Sequence, residues 1–186
     1  MLTIKKKVVT YKDYQHLPEG APYQLIGGEL IMTPSPTPFH QIISKRLERE
    51  LLELQDKGLG VVFYAPIDVF LSETETYQPD LLFIVKNRLN IIGENKIDAA
   101  PDLVIEILSP GTAYYDLKHK MTVYGQKGVR EYWIVDPQEK SIEVFENRKG
   151  SYVLLNQASE EGTVYSGIFP SLKIEIDSTF SSDLLT

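Results

Sequence analysis

The sequence contains no cysteine, and this absence excludes several kinds of site at once. Disulfide bonds, thiolate nucleophiles and zinc sites with cysteine ligands all need a thiol that the chain does not have. Histidine is also scarce, with 3 residues in 186, so a zinc centre built from several histidines is not expected. A chain without cysteine suits a reducing compartment, and we expect a cytoplasmic location.

Long apolar runs and an excess of positive charge are missing as well. No stretch of 18 or more apolar residues occurs, so no membrane-spanning helix is predicted, and the N-terminal lysines lack the apolar segment of a secretory signal. The 26 acidic residues outnumber the 19 basic ones, for a net charge of -7. This balance argues weakly against a protein that coats nucleic acid without specificity, although bound divalent cations or a local basic rim would still admit phosphate.

The apolar content is sufficient for one globular unit. Apolar residues make up 42% of the chain, enough to bury a core of ordinary size. Residues 1–38 contain two short strand patterns that meet at Gly27 and Gly28, and we expect them to form an N-terminal strand extension. The connector TPSPTP then leads into residues 39–186, which we expect to form the main domain of a single globular unit.

Two segments have the periodicity of helices. Apolar residues recur at helical spacing from Phe39 to Leu54, and Gly58 is a suitable stop signal. A second helix is predicted over 115–126, with Gly128 ending it. These two segments lie on either side of a series of strand patterns, which is the order expected of an α/β domain.

Apolar runs at 80–85, 102–108 and 131–137 predict buried strands. A further strand is predicted over 61–71 with a kink at Pro66, residues 86–100 are expected to form a loop, and residues 141–155 to form a C-terminal hairpin followed by a strand-like tail. Because purely apolar strands need cover on both faces, we predict a three-layer α/β core with a central mixed sheet flanked by helices.

One carboxylate stands inside an apolar run. The segment PDLVIEILSPGT places Glu106 among apolar residues, and burying an unpaired carboxylate costs several kcal/mol. Asp102 lies on the same strand, but four residues of strand separate the two Cα atoms by about 13 Å, too far for comfortable ligation of one ion. Asp80 begins a different strand, and if the two strands pair, it can meet Glu106 near the sheet. A divalent cation such as magnesium would relieve their repulsion.

A lysine near these acids would add positive charge for phosphate chemistry. The segment YYDLKHKMTVY offers Lys118 and Lys120. Lys120 is four residues from both Asp116 and Tyr124 and lies along the same side of the predicted helix, whereas Lys118 points elsewhere. Two acids, a lysine and a metal ion can hold phosphate and activate water.

The order of three segments resembles a known family. The segments QPDLLFIV, PDLVIEILSPGT and DLKHKMTVYGQKGVREYWIVDP are similar to the Uma-type family of putative restriction endonucleases, which is assigned to the PD-(D/E)XK nuclease superfamily. The similarity extends over about residues 23–180, and residues 101–137 are its most specific part. It implies a restriction-endonuclease-like fold and hydrolysis of phosphodiester bonds in DNA by a metal-activated water, with Mg or Mn as cofactor and a homodimer as the assembly.

The resemblance also implies roles for individual residues. Asp80 corresponds to the acid of the PD element, Glu106 to the acid of the (D/E)XK element, and the main-chain carbonyl of Ile107 to a further metal ligand. The lysine of the superfamily motif would fall at position 108, where this chain has Leu108. The Uma-type pattern instead has a lysine on the following helix, which corresponds to Lys120. His40, at the start of the first long helix, could line the cleft.

Structural explanations remain open for each of these residues. Glu106 could be a buried acid satisfied by backbone amides or an arginine, Asp80 a residue that begins a strand, and Lys120 the partner of Asp116 in a surface ion pair. For Asp102 a structural role at the strand start is favoured. For the whole protein, the alternative functions are a nuclease-fold binding or regulatory module without robust cleavage, and hydrolysis of a small phosphoester.

Overall fold

A computed structural model describes residues 7–18, 20–111 and 113–181. Part of the predicted N-terminal extension, residues 1–6, lies outside the described residues. So do residues 182–186 at the end of the predicted main domain, and Thr112 of the SPGT segment. The helices are α1 Tyr11–Tyr14, α2 Pro38–Asp56, α3 Met121–Lys127 and α4 Ile176–Phe180. The strands are β1 Tyr23–Ile26, β2 Glu29–Met32, β3 Gly60–Tyr64, β4 Val69–Ser72, β5 Glu75–Tyr77, β6 Leu81–Val85, β7 Leu103–Ile107, β8 Glu131–Asp136, β9 Ser141–Arg148, β10 Ser151–Ser159, β11 Thr163–Tyr165 and β12 Lys173–Glu175.

The central layer is a six-stranded sheet in the order β10-β9-β8-β7-β6-β3. Strands β7 and β8 are parallel, and the other neighbouring pairs are antiparallel, so the sheet is mixed. Residues that alternate along β6, β7 and β8 contribute to two separate apolar clusters, one on each face of the sheet. The three-layer α/β fold predicted from the apolar strand runs is therefore confirmed.

Helix α2 covers one face of this sheet. Thr37 caps its first turn by accepting the backbone N–H of His40 at 3.2 Å, and Pro38 at the first position supplies a backbone already suited to a helix. Its buried stripe packs against the odd-numbered residues of β6 and β7, together with apolar residues of β11, β12 and α4. The stripe consists of Ile43, Leu47, Leu51 and Leu54.

The opposite face is covered by α3 and by a second, four-stranded sheet in the order β2-β1-β5-β4. Hairpin β1–β2 pairs through β1 with β5, which the chain reaches only after α2 and β3. The single kinked strand predicted over 61–71 is wrong: the segment forms β3 in the central sheet and β4 in the second sheet. Strand β5 was not predicted, because it has only three residues and two of them, Glu75 and Thr76, are polar.

Two connections differ from the sequence prediction in their backbone geometry. Residues Lys86–Ile91 form a 3-10 helix where a loop was expected. The predicted second helix begins as a π-helix, Tyr115–Lys120, and continues as α3 to its stop at Gly128, whose φ of 92° suits glycine. Short π segments of this kind occur frequently at functional sites. No helix in the described part of the chain is both long and apolar enough to cross a membrane.

Candidate active site at the end of the central sheet

The pairing of β6 with β7 brings two of the acids together. Leu81 lies opposite Ile105 in this antiparallel pair, and one further step of the same register places Asp80 opposite Glu106. Residues directly opposite each other point to the same face, with Cα atoms about 4.5 to 5.5 Å apart. The two carboxylates therefore belong to one region at the end of the sheet, on the face that α3 covers.

Asp80 is held by the backbone of the strand that carries Glu106. Its Oδ2 accepts the N–H of Ile107 at 2.7 Å, and its Oδ1 lies 3.4 Å from Nε2 of His40. The same Nε2 lies 3.2 Å from the carbonyl oxygen of Ile107. Burial opposes a charge on His40, but the hydrogen bond to Asp80 and the negative charge of that carboxylate outweigh burial and raise the pKa of the imidazole.

Glu106 is 3% exposed. Its Oε1 accepts two hydrogen bonds from residues that the structure describes. Nζ of Lys120 donates at 3.0 Å and the hydroxyl of Tyr124 donates at 3.1 Å. Lys120, itself 2% exposed, also lies 2.8 Å from Oδ1 of Asp116. The hydroxyl of Tyr132 donates to the main-chain carbonyl of Asp116 at 3.0 Å, which fixes the π-helix against the sheet.

The acids and the lysine of this region shift one another's pKa values. Burial raises the pKa of Glu106, and the negative charges of Asp116 and Asp80 raise it further against the opposing effect of Lys120. Burial opposes the charge of Lys120, but Glu106 and Asp116 more than compensate and raise the pKa of the ammonium group. Glu106 and Asp116 thus share Lys120, while Asp80 lies beside His40. A cluster of largely buried acids of this kind is a place where a proton or a metal cation can be taken up.

The donor atoms available here are those that a hard divalent cation prefers. They are carboxylate oxygens of Asp80 and Glu106 and the carbonyl oxygen of Ile107. No group of three or more His, Asp or Glu side chains suited to a metal is found among the described residues, so a cation would complete its shell with water or substrate oxygen. Nε2 of His40 lies between two of these oxygens, and a bound cation would have to share that space with it. The oxygen donors and the negative charge of the two acids fit Mg²⁺ or Mn²⁺.

Asp102 has a different environment. It is fully buried, its Oδ2 accepts the N–H of Val85 at 3.0 Å, and its Oδ1 lies 3.0 Å from Nη1 of Arg88 and 3.6 Å from Nη1 of Arg130. Its partners are thus arginines and a backbone amide. The arginines belong to the 3-10 helix and to the segment before β8, so Asp102 stabilises connections at the opposite end of β7 from Glu106.

Leu108 stands at the position where the resemblance would place the superfamily lysine. Leu108 is half-buried against the apolar cluster beneath α3, and its N–H bonds to the carbonyl of Val135 at 2.8 Å. Lys120 reaches Glu106 from the π-helix instead. Lys118, two residues earlier, is exposed and lies over the ring of Tyr114, as the helical spacing predicts for a residue that points elsewhere.

Sequence reasoning missed the contacts behind the π-helix. The hydroxyl of Tyr124 donates to Glu106, a contact that the helical spacing alone does not predict. Glu75 accepts the hydroxyl of Tyr77 at 2.5 Å and the N–H of Gly27 at 2.9 Å, and its carboxylate lies 3.0 Å from Nε2 of His119. An acid in a three-residue polar strand has no periodic signal, so nothing in the sequence pattern pointed to Glu75.

The fold and the site geometry together indicate a class of protein. A mixed α/β sheet with paired acids at the end of two central strands, and a lysine reaching one of them, is the arrangement of restriction-endonuclease-like nucleases. The sequence profile of the Uma2 family, described as putative restriction endonuclease, matches residues 11–179. Since this is most of its length, the chain belongs to that family.

One solved structure shows the same fold. It is the crystal structure of a putative nuclease belonging to DUF820 from Anabaena variabilis, with a TM-score of 0.75 and 21% sequence identity. The similarity covers 92% of this chain and 97% of that one. No curated protein matches the chain.

Proposed function

We propose that this protein is a metal-dependent endonuclease that hydrolyses phosphodiester bonds in DNA. The observation that carries the proposal is the register that brings Asp80 opposite Glu106, together with the contact of Lys120 with Glu106. Membership of a family described as restriction endonucleases supports DNA as the substrate. Paired acids at a strand end also occur for structural reasons. The buried Lys120, shared between Glu106 and Asp116, is a second feature that phosphodiester hydrolysis can use, and it therefore adds support to the proposal.

Asp80, Glu106 and the carbonyl of Ile107 would hold Mg²⁺ or Mn²⁺. Such a cation, when bound, would polarise the phosphate and make nearby water more acidic. Lys120 supplies a fixed positive charge beside Glu106, where it can orient water or stabilise charge that develops on phosphate oxygens. Asp116 and Tyr124 hold Lys120 and Glu106 in place before substrate arrives, so little rearrangement is needed for the reaction.

The test is a cleavage assay on supercoiled plasmid, single-stranded DNA and RNA, with Mg²⁺, Mn²⁺ or EDTA. We expect the wild type to nick or linearise plasmid only with metal, and Asp80→Asn to be inactive. Asp56→Asn, at the exposed end of α2, is the matched control and should behave as the wild type. Cleavage that persists in Asp80→Asn, or plasmid left intact by the wild type under every condition, would contradict the proposal.

A second candidate is a nuclease-fold module that binds nucleic acid without cleaving it. It is favoured by the fact that the acids already have partners within the protein. Oδ2 of Asp80 accepts the Ile107 N–H, and Oε1 of Glu106 accepts from Lys120 and Tyr124. Filter binding of the same substrates, with and without metal, separates the two: the module would bind DNA equally well in EDTA and leave it intact.

A homodimer and a cytoplasmic location complete the proposal. Two cuts in duplex DNA need two centres or a repositioning step, and a two-fold dimer provides two centres. Strand β10 forms one edge of the central sheet and exposes Val153 and Leu154, which makes the hairpin β9–β10 a candidate contact. The location rests on the absence of cysteine alone.

A further inference from the structure

A groove of about 340 Å³ opens beside Asp80. It lies between the first half of α2, which contributes Ser44, Lys45 and Glu48, and the end of β3, which contributes Tyr64. Its volume falls at the lower end of the range for small-ligand sites, enough for one nucleotide and too small for a duplex. Because Asp80 is one of the residues that line the groove, a ligand bound there would contact Asp80.

The position of Tyr64 relative to Asp80 is set by the sheet. Tyr64 pairs with Leu81 in the β3–β6 register, and the N–H of the next residue, Ala65, donates to the carbonyl of Asp80 at 3.0 Å. Tyr64 is nevertheless 62% exposed. The sheet thus fixes the backbone of Tyr64 opposite Leu81, the residue that follows Asp80. Most of Tyr64 remains accessible to a ligand.

The groove offers a cationic partner for one phosphate only. Lys45 is the one cation among the described residues that line it, and Glu48 and Asp80 are its acids. With one lysine in the groove and a net charge of -7, the groove offers little attraction to the backbone of a long duplex. Stacking on an aromatic ring does not depend on charge, and every base has a face that can stack.

We propose that this groove binds one unpaired nucleotide next to the phosphate that is cut, with its base stacked on Tyr64 and its phosphate near Lys45. The inference rests on the proposed function, because it places the reacting phosphate at Asp80. It deepens that function by naming the substrate class: single-stranded DNA, or duplex DNA at an unpaired or flipped base. A continuous, fully paired duplex is the poorer ligand.

The proposal is tested by binding of oligonucleotides that contain 2-aminopurine, whose fluorescence falls when it stacks on an aromatic ring. Wild type, Tyr64→Leu and Tyr64→Phe are compared on single-stranded DNA, on a duplex with one unpaired base and on a fully paired duplex, all in EDTA. The matched control is Tyr165→Leu, which removes a 48% exposed tyrosine from β11.

Loss of one base stack corresponds to a weakening of about 5- to 150-fold. We expect that loss for Tyr64→Leu on the two substrates with unpaired bases and little change on the paired duplex. Tyr64→Phe keeps the ring and should keep both the affinity and the fluorescence decrease, as should Tyr165→Leu. Equal binding by wild type and Tyr64→Leu, or an equal loss on all three substrates, would overturn the proposal.

Plasmid and single-strand cleavage with Mg²⁺ are measured on the same preparations, so that the two proposals fail separately. A wild type that cleaves DNA, with no effect of Tyr64→Leu on binding, overturns the stacking inference and leaves the nuclease function standing. A wild type that binds unpaired DNA through Tyr64 but does not cleave it overturns the nuclease function alone. If Tyr64→Leu does not fold, Tyr64→Ser, which also removes the ring at this exposed position, is compared with the wild type and Tyr64→Phe on the same substrates.

Discussion

Nε2 of His119 lies 3.0 Å from Oε1 of Glu75, and this contact joins the second sheet to the π-helix that carries Lys120. Glu75 is itself anchored by the hydroxyl of Tyr77, whose ring lies 5.8 Å from Nζ of Lys120. The ring of Tyr77 also meets that of Tyr124 edge-on at 5.3 Å. The small sheet therefore forms the back wall of the candidate site.

The first prediction is that His119→Ala lowers the cleavage rate without unfolding the protein. Loosening the π-helix misplaces Lys120, and a shift of about 1 Å in a reacting group can cost about 100-fold in rate. We expect kcat to fall while KM and the thermal midpoint change little, because His119 is partly exposed and its contact is with Glu75 of the second sheet and not with the acids of the site. His16→Ala, an exposed histidine near α1, is the control. A KM effect alone would count against a positioning role.

The second prediction concerns the buried cation. Lys120→Met leaves Glu106 and Asp116 as two buried carboxylates without their shared partner, which should lower the free energy of unfolding by about 3 to 5 kcal/mol at pH 7. Lys118→Met removes an exposed lysine from the same π-helix and should change it by less than about 0.5 kcal/mol. Urea midpoints in EDTA measure both. A Lys120→Met protein as stable as the wild type would show that the ion network is not needed for folding.

The third prediction separates the site acid from the structural acid. Glu106→Gln leaves Lys120 paired with Asp116, so stability in EDTA should change by no more than about 1 kcal/mol. Mg²⁺ should raise the unfolding midpoint of the wild type by mass action and leave that of Glu106→Gln unchanged. Asp102→Asn, the comparison variant, should be destabilised by about 1 to 3 kcal/mol yet still respond to Mg²⁺. The reverse pattern would assign the metal to Asp102.

The fourth prediction is a pH dependence of stability without metal. Because burial raises the pKa of Glu106 above its value of about 4.3 in an unfolded chain, the folded state holds a proton that the unfolded state releases. The stabilisation linked to this proton is complete below the unfolded pKa and is lost as pH rises through the folded pKa. The free energy of unfolding in EDTA should therefore fall with rising pH across that window. Glu106→Gln should reduce the slope and leave the part that the raised pKa of His40 contributes with the same sign, whereas exposed Glu139→Gln should reproduce the wild-type curve.

The fifth prediction is the assembly. If hairpin β9–β10 forms a two-fold contact, light scattering at tens of micromolar should give the mass of a dimer. Placing a charge at the exposed position Val153 by Val153→Lys should shift the mass to that of a monomer, because a buried lysine without a partner is costly at an interface. Lys173→Glu on β12 changes an exposed charge elsewhere and serves as control. A wild-type monomer would remove the dimer from the proposal.

The fold class and the two candidate acids could be predicted from the sequence, because both depend on local patterns of apolar and acidic residues. Apolar runs revealed β6, β7 and β8, and an acid inside one of them singled out Glu106. The pairing of Asp80 with Glu106 depends on which strands become neighbours, and the sequence could state it only as a condition. The π-helix and strand β5 could not be predicted, because tertiary contacts of Tyr132 and Glu75, and not helical or strand periodicity, stabilise their geometry.

Each of the three layers of the protein contributes one titratable side chain to the candidate site. His40 comes from α2 on one face, Glu106 from the sheet, and Lys120 from the π-helix on the other face. A collapsed state that kept its helices and strands but lost the fixed packing between layers would have none of these contacts. Catalytic activity would then report native interlayer packing more sensitively than far-ultraviolet circular dichroism, and heating should abolish cleavage before secondary structure is lost.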